Sequence, residues 1–131
     1  MKRDVQNRQD VEHFVDEFYR KVVDDEVIGY IFNHVAGFSW EKHIPIMYSF
    51  WETVLFGVMS YKGNPMLAHI ELHKKVPLNT AHFDRWQMLF FETIDHLFAG
   101  EKVEDAKRLV EVMSLLIQHK IKASESKGFI Q

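Results

Sequence analysis

At 131 residues the chain has room for one domain around a single core, and 47% of it is apolar, including 11 phenylalanines. Its net charge is −3 with no basic run longer than Lys74-Lys75 or the Lys120/Lys122 pair, which excludes a phosphate-tracking surface and hence nucleic acid as a partner. There is no cysteine, which excludes disulfides and thiolate metal sites, and no apolar run approaches membrane-spanning length, so no membrane partner is expected.

Met1-Lys2-Arg3-Asp4 is not followed by an apolar stretch, so no leader is read and the cytoplasm is the expected compartment. Val11, Phe14, Val15, Phe18 and Val22 recur at spacings of three and four, predicting an amphipathic helix over 10–23 with Asp10 as its N-cap. Tyr19 lies one step round from that stripe. Asp24-Asp25 interrupts, and Val27 to Phe32 reads as a shorter helix or turn. Gly37 breaks the chain before a long pattern of Trp40, Ile44, Met47, Trp51, Leu55 and Val58. His43, Met47, Phe50 and Val54 form an adjoining stripe, which turns His43 toward the same interior as Met47. Pro45 is awkward inside a helix, so the helix either begins near His43 or bends there.

Gly63-Asn64-Pro65 marks a turn, and a short helix is expected from Met66 to Lys74, ended by Pro77. Asn79 or Thr80 caps the next helix, whose face is Phe83, Trp86, Phe90, Ile94 and Leu97, closed by Gly100. A last helix runs from about Val103 to Lys122 through Ala106, Val110, Met113, Ile117 and Ile121. The ordered core is expected over about 10–122, with residues 123–131 as a frayed tail. No strand hairpin, linker or internal repeat is present. The fold class is all-α.

Five residues in fixed order stand inside or beside these apolar repeats where a polar or indole side chain needs a reason: Tyr19, His43, Trp51, His69 and Trp86. Two histidines separated by about a helix and a loop, with a tyrosine upstream and a tryptophan downstream, suit a flat iron-containing ligand. One imidazole would bind the metal and the rest would line the opposite face. Each residue also has a plainer reading: a satisfied polar histidine, a helix-edge tyrosine, a tryptophan anchoring the core.

Several stretches together resemble the truncated haemoglobins, and within that family the group III members. They are Phe18 to Val22, Ile28 to Asn33, Trp40 to His43, Phe50-Trp51, Tyr61 to Pro65, Ala68 to Leu72 and His82 to Trp86. The resemblance runs from about residue 10 to 121, and its specificity lies in the order of the pieces. It implies a truncated globin fold, a two-over-two helical sandwich around a haem. Carried over by position, it makes His69 the proximal iron ligand and Phe32 the ring against the haem edge. Tyr19, His43, Met47 and Trp86 fall on the distal side, supported by Phe50 and Trp51. His43 has three candidate roles: gating ligand access, donating to the ligand, or coordinating the iron itself. His73 would share a face with His69 on a continuous helix, or meet a propionate near the haem edge. His82 is the weaker ligand candidate, since it opens a helix.

With no cysteine to form C-x-x-C-H, such a haem would be of the non-covalent b type. Haem iron held by one imidazole keeps an axial site open for small diatomics. Dioxygen takes on negative charge at ferrous haem, and the Tyr19 O–H and Trp86 N–H are donors that would stabilise it. Met47 adds a polarisable apolar wall. The implied function is binding of dioxygen, carbon monoxide, nitric oxide or similar ligands. The alternative is a haem enzyme, a nitric oxide dioxygenase or peroxidase-like catalyst. Because the six glycines form no G-x-G-x-x-G, it would draw electrons from a separate reductase. A cofactor-free helical interaction module is the remote third reading. A di-metal carboxylate bundle is excluded for want of any Glu-x-x-His.

Overall fold

A computed structural model describes residues 1–131 except 36–38, 65–67, 70, 71, 74–76 and 131, and describes the backbone alone at 35 and 126–130. Four α-helices form most of it: α1 (Arg8–Val23), α2 (Trp40–Phe56), α3 (Thr80–Leu97) and α4 (Glu101–Ile130). A π-helical turn, Ile31–Val35, lies between the first two. Helix α1 packs on both α2 and α3, and α4 backs α3 and touches α2. No strand occurs among the described residues, and no described helix is long and apolar enough to cross a membrane.

The α1 stripe is buried as its periodicity predicts, but the helix starts earlier than expected. Asn7, not Asp10, is the N-cap, its side chain accepting from the Asp10 N–H at 3.0 Å. Asp10 instead occupies the first turn, accepting from the Gln6 N–H and pairing through both oxygens with Arg3 at 2.6 Å. A carboxylate there also meets the positive end of the helix. The bonds from Arg3 hold the Asp10 carboxyl below its usual range, outweighing the upward push of burial.

Beyond α1, Asp25 accepts from the Val27 and Ile28 N–H groups and pairs with Arg85 of α3 at 2.6 Å. Burial pushes that carboxyl up, but Arg85 and the two backbone donors together hold it low. The turn leading out of α1 is thereby fastened to α3.

Helix α2 begins at Trp40, three residues before His43, and runs through Pro45. The proline deletes one backbone bond in the second turn and the helix continues. The predicted stripes fade toward the C-terminus: Ile44, Phe50, Trp51 and Leu55 are buried, while Val54 and Val58 are exposed. Gly57, at φ 72°, ends the helix in the left-handed region that favours glycine.

Asn79 caps α3, and His82 answers it from the third helical position in a reciprocal capping box. Helix α4 is capped from the far end of the chain. Asp4 accepts from the Lys102 N–H at 2.9 Å and the Val103 N–H at 3.2 Å. Gly100 makes room for it, since a Cβ there would lie 2.4 Å from the Asp4 Cγ. The helix passes its expected end at Lys122 and continues to Ile130. Ala, Glu and Lys in that stretch are good helix formers, and no proline stops them.

The apolar interior divides in two. The larger cluster joins α1, α2, α3 and the first half of α4, and includes Phe14, Phe18, Tyr19, Phe50, Trp51 and Phe90. A smaller one holds Phe83, Ile117 and Ile121, with Leu78 and Met113 packed against both.

Candidate functional site

Six of the site residues expected from the sequence, Tyr19, Phe32, Met47, Phe50, Trp51 and Trp86, come together in the larger cluster. The Phe18 ring lies 4.9 Å from that of Tyr19 and 6.1 Å from that of Trp86, so the two donors flank one phenylalanine. Tyr19 meets Phe32 edge-on at 6.1 Å. Trp51 stacks on Phe90 at 5.1 Å, and Phe90 in turn stacks on Trp86 at 6.5 Å. Phe50 meets Trp51 at 5.3 Å and Tyr61 at 5.2 Å. Edge-to-face and offset contacts of this kind favour one mutual arrangement of the rings. Tyr19 is buried, and burial raises its phenol far above the ordinary value, so it remains protonated and able to donate. Phe32, Met47 and Trp86 are half-buried on the same cluster, each keeping an apolar face uncovered.

The histidines are placed differently. His69, in helical backbone with Ala68, is half-buried, and its ring lies 6.4 Å from Phe83 in the smaller cluster. Of the short helix expected over 66–74, Ala68, His69, Leu72 and His73 are described and helical; the remainder lies outside the described residues, as do Gly37 and Pro65.

His73 is occupied by the protein at both ring nitrogens. Its Nδ1 accepts from the Leu78 N–H at 2.8 Å, and its Nε2 meets the Glu125 carboxylate of α4. These contacts link the segment to the last helix.

His82 belongs to the α3 cap, with Asn79 N–H donating to its Nδ1 at 3.2 Å. His43 does not face the interior with Met47. It is exposed at the start of α2, with Nδ1 2.9 Å from the Ser39 N and 3.0 Å from its O.

Phe83, beside His69, and Glu125, against His73, were not among the residues singled out from the sequence. Phe83 was on the predicted α3 face, three positions before Trp86, so the signal existed but read as core. Glu125 is 52 positions from His73, and no local pattern connects them.

No group of three or more His, Asp or Glu side chains that could hold a metal ion occurs among the described residues. A cleft of about 510 Å³ lies on the opposite side of Tyr19's helix, lined by Glu17, Arg20, Asp24, Asp25, Arg85 and Glu92. Two ion pairs, Glu17 with Arg20 and Asp25 with Arg85, lie within it, and its charged lining is unlike the aromatic wall.

An imidazole on one apolar cluster, with phenol and indole donors on another in the same helical sandwich, suits a globin-type haem protein. The chain belongs to the bacterial-like globin family, whose profile matches residues 4–122. It is 31% identical over 104 residues to a group 3 truncated hemoglobin of Campylobacter jejuni, covering 77% of this chain and 80% of that protein. Its fold is similar to the crystal structure of a group III truncated hemoglobin from Campylobacter jejuni, with a TM-score of 0.81 and 26% identity. That match covers 92% of this chain and 95% of the other. The expected all-α, two-over-two globin fold is therefore the observed one.

Membership implies a haem cofactor and small gaseous ligands. The residues present fit that group. His69 supplies an imidazole, a common iron ligand. Phe32, Met47, Leu72, Leu78 and Trp86 are half-buried apolar surfaces that a flat macrocycle would cover.

Proposed function

We propose that the chain holds one b-type haem non-covalently through His69 and binds dioxygen and related diatomics on the face lined by Tyr19 and Trp86. When bound, the haem supplies an iron with one open axial position. The carrying observation is the division of the interior into two apolar clusters, with His69 against the smaller and both hydrogen-bond donors in the larger. His82, the weaker ligand candidate, serves the α3 cap, and His73 is bonded at its ring nitrogens to Leu78 and Glu125.

On the distal side the chain orients donors and excludes water. Phe18 fixes the mutual position of Tyr19 and Trp86, and Phe32 closes one edge of the Tyr19 ring. The raised Tyr19 pKa keeps its proton in place to donate. His43, at the exposed start of α2, is placed to meet ligands arriving from solvent; its ring is held at the Ser39 backbone. Met47, one turn further on, is half-buried and supplies apolar wall.

Titration of the apoprotein with haemin, followed by reduction under carbon monoxide, tests this reading. A single saturating equivalent and a sharp Soret band of the carbon monoxide form are expected, with all haem extracted into acidified organic solvent. Haem that stays with the polypeptide after extraction, or titration without a stoichiometric end point, would refute it.

A further inference from the structure

Helix α4 carries a second apolar face that is exposed and that none of the described residues covers. Val112, Leu115 and Leu116 are 52%, 70% and 47% exposed, on the side opposite Val103, Ala106, Val110, Ile117 and Ile121, which are buried. Surface leucines scattered singly need no explanation, but three within five residues on one helix face form a continuous patch.

Charge flanks the patch unequally. The N-terminal end of the same exposed side carries Glu101, Glu104 and Asp105 against one cation, Arg108, and the C-terminal end carries His119, Lys120 and Lys122. A parallel pairing with an identical helix would set acid on acid and base on base. An antiparallel pairing sets acid on base at both ends and also opposes the two helix dipoles favourably. The register is specified more tightly than that. A two-fold axis near Met113 places Glu104 opposite the partner's Lys122, Asp105 opposite the partner's Lys120, and Val112 opposite the partner's Leu115, each midpoint falling within a residue of Met113.

We infer that this face of α4 is a self-association surface, and that two copies of the chain pair through it antiparallel about a two-fold axis at Met113. In the single chain, Glu104 pairs with Lys107 at 3.2 Å and Asp105 with Arg108 at 2.5 Å. Those are exposed i,i+3 pairs, which contribute little and re-partner readily. Three half-exposed apolar side chains supply much less than the roughly 800 Å² per partner of a standard interface, so the dimer is weak and concentration-dependent.

Sedimentation velocity of the haem-reconstituted full chain, from micromolar to millimolar, tests this directly. The mass should rise toward the dimer, and Leu115→Glu should abolish the rise. Glu104→Lys or Lys122→Glu alone should weaken association about tenfold, while the two together should restore it, because opposite charges again meet across the axis. Since the chain has no cysteine, Val112→Cys gives a single thiol near the axis. Under mild oxidation it should cross-link two copies much faster than Asp84→Cys on exposed α3 surface. A monomer throughout the range overturns the inference. So does a dimer indifferent to Leu115→Glu, or a double charge reversal that associates no better than either single change.

Discussion

The two apolar clusters are built in different ways. The larger is held by interlocking rings from three helices: Phe14, Phe18, Trp51 and Phe90 touch one another edge-on or stacked at 5.1–5.9 Å. The smaller rests on Phe83, Ile117 and Ile121, and the segment above it is pinned by polar contacts, His73 to Glu125 and Leu78, and Asn79 to His82. Rigid packing thus stands behind the proposed ligand-binding wall. The imidazole side depends on hydrogen bonds, most of them local, with His73 to Glu125 reaching 52 positions along the chain. A prosthetic group inserted between the two would take over part of the role that packing fills elsewhere.

The largest expected effect lies in the first cluster. Phe90, fully buried between Phe14, Phe18 and Trp51, should cost about 3–5 kcal/mol of apoprotein stability on change to Ala. Phe83→Ala should fall at or below the bottom of that range, because a cluster of three buried residues can collapse around the gap. Denaturant unfolding of both apo variants decides the matter. Equal losses would erase the contrast.

Next in size is Tyr19→Phe. A hydrogen bond to a strongly polarised acceptor contributes roughly 1.5–3 kcal/mol, so dioxygen release should quicken about tenfold to a hundredfold while carbon monoxide release changes far less. Stopped-flow measurement of both ligands separates a lost donor from a loosened wall. Equal acceleration would mean that Tyr19 only packs.

A smaller effect is expected at the α3 cap. Asn79→Ala removes the side chain that accepts from the His82 N–H and should cost about 1 kcal/mol. It should also raise hydrogen exchange in the first turn of α3 more than in α1. Uniform exchange would show that the polar pins are not local.

The smallest effect is at low pH. Asp10 and Asp25 are both held below the ordinary carboxyl value of 3.8, so the stability they add is complete above that value. It is lost as pH falls through their lower folded values. Acid unfolding monitored by circular dichroism should therefore steepen below about pH 4, and Asp10→Asn should make the profile shallower. An unchanged profile would mean that Arg3 and Asp10 contribute no linkage.

The helices were legible because a buried face imposes a 3.6-residue rhythm on Val11 to Val22, on Phe83 to Leu97 and on Val103 to Ile121. Their ends were less so. Asn7 and Asp10 are equally good caps three residues apart, and the apolar rhythm starts only at Val11, which drew the boundary to the wrong one. Residues 123–130 carry no apolar rhythm at all, yet helix propensity and the contact of Glu125 with His73 suffice to extend α4.

At the site, the grouping of Tyr19, Phe32, Met47, Phe50, Trp51 and Trp86 was implied by the resemblance to truncated haemoglobins, which share these residues in the same order. The exposed position of His43 was not, because an apolar stripe assigns a residue to a helix face but not how far the fold covers that face in its first turn. Contacts such as Asp4 with Lys102 and His73 with Glu125 join distant parts of the chain, and nothing local encodes them.

The central claim, that His69 is the residue by which the chain holds haem iron, is tested most directly by resonance Raman of the ferrous protein carrying His69→Gly. The iron–histidine band should vanish and haem retention should weaken. Added imidazole should restore a five-coordinate spectrum, and His73→Gly should leave the band in place. Loss of the band in His73→Gly with its survival in His69→Gly would contradict the account.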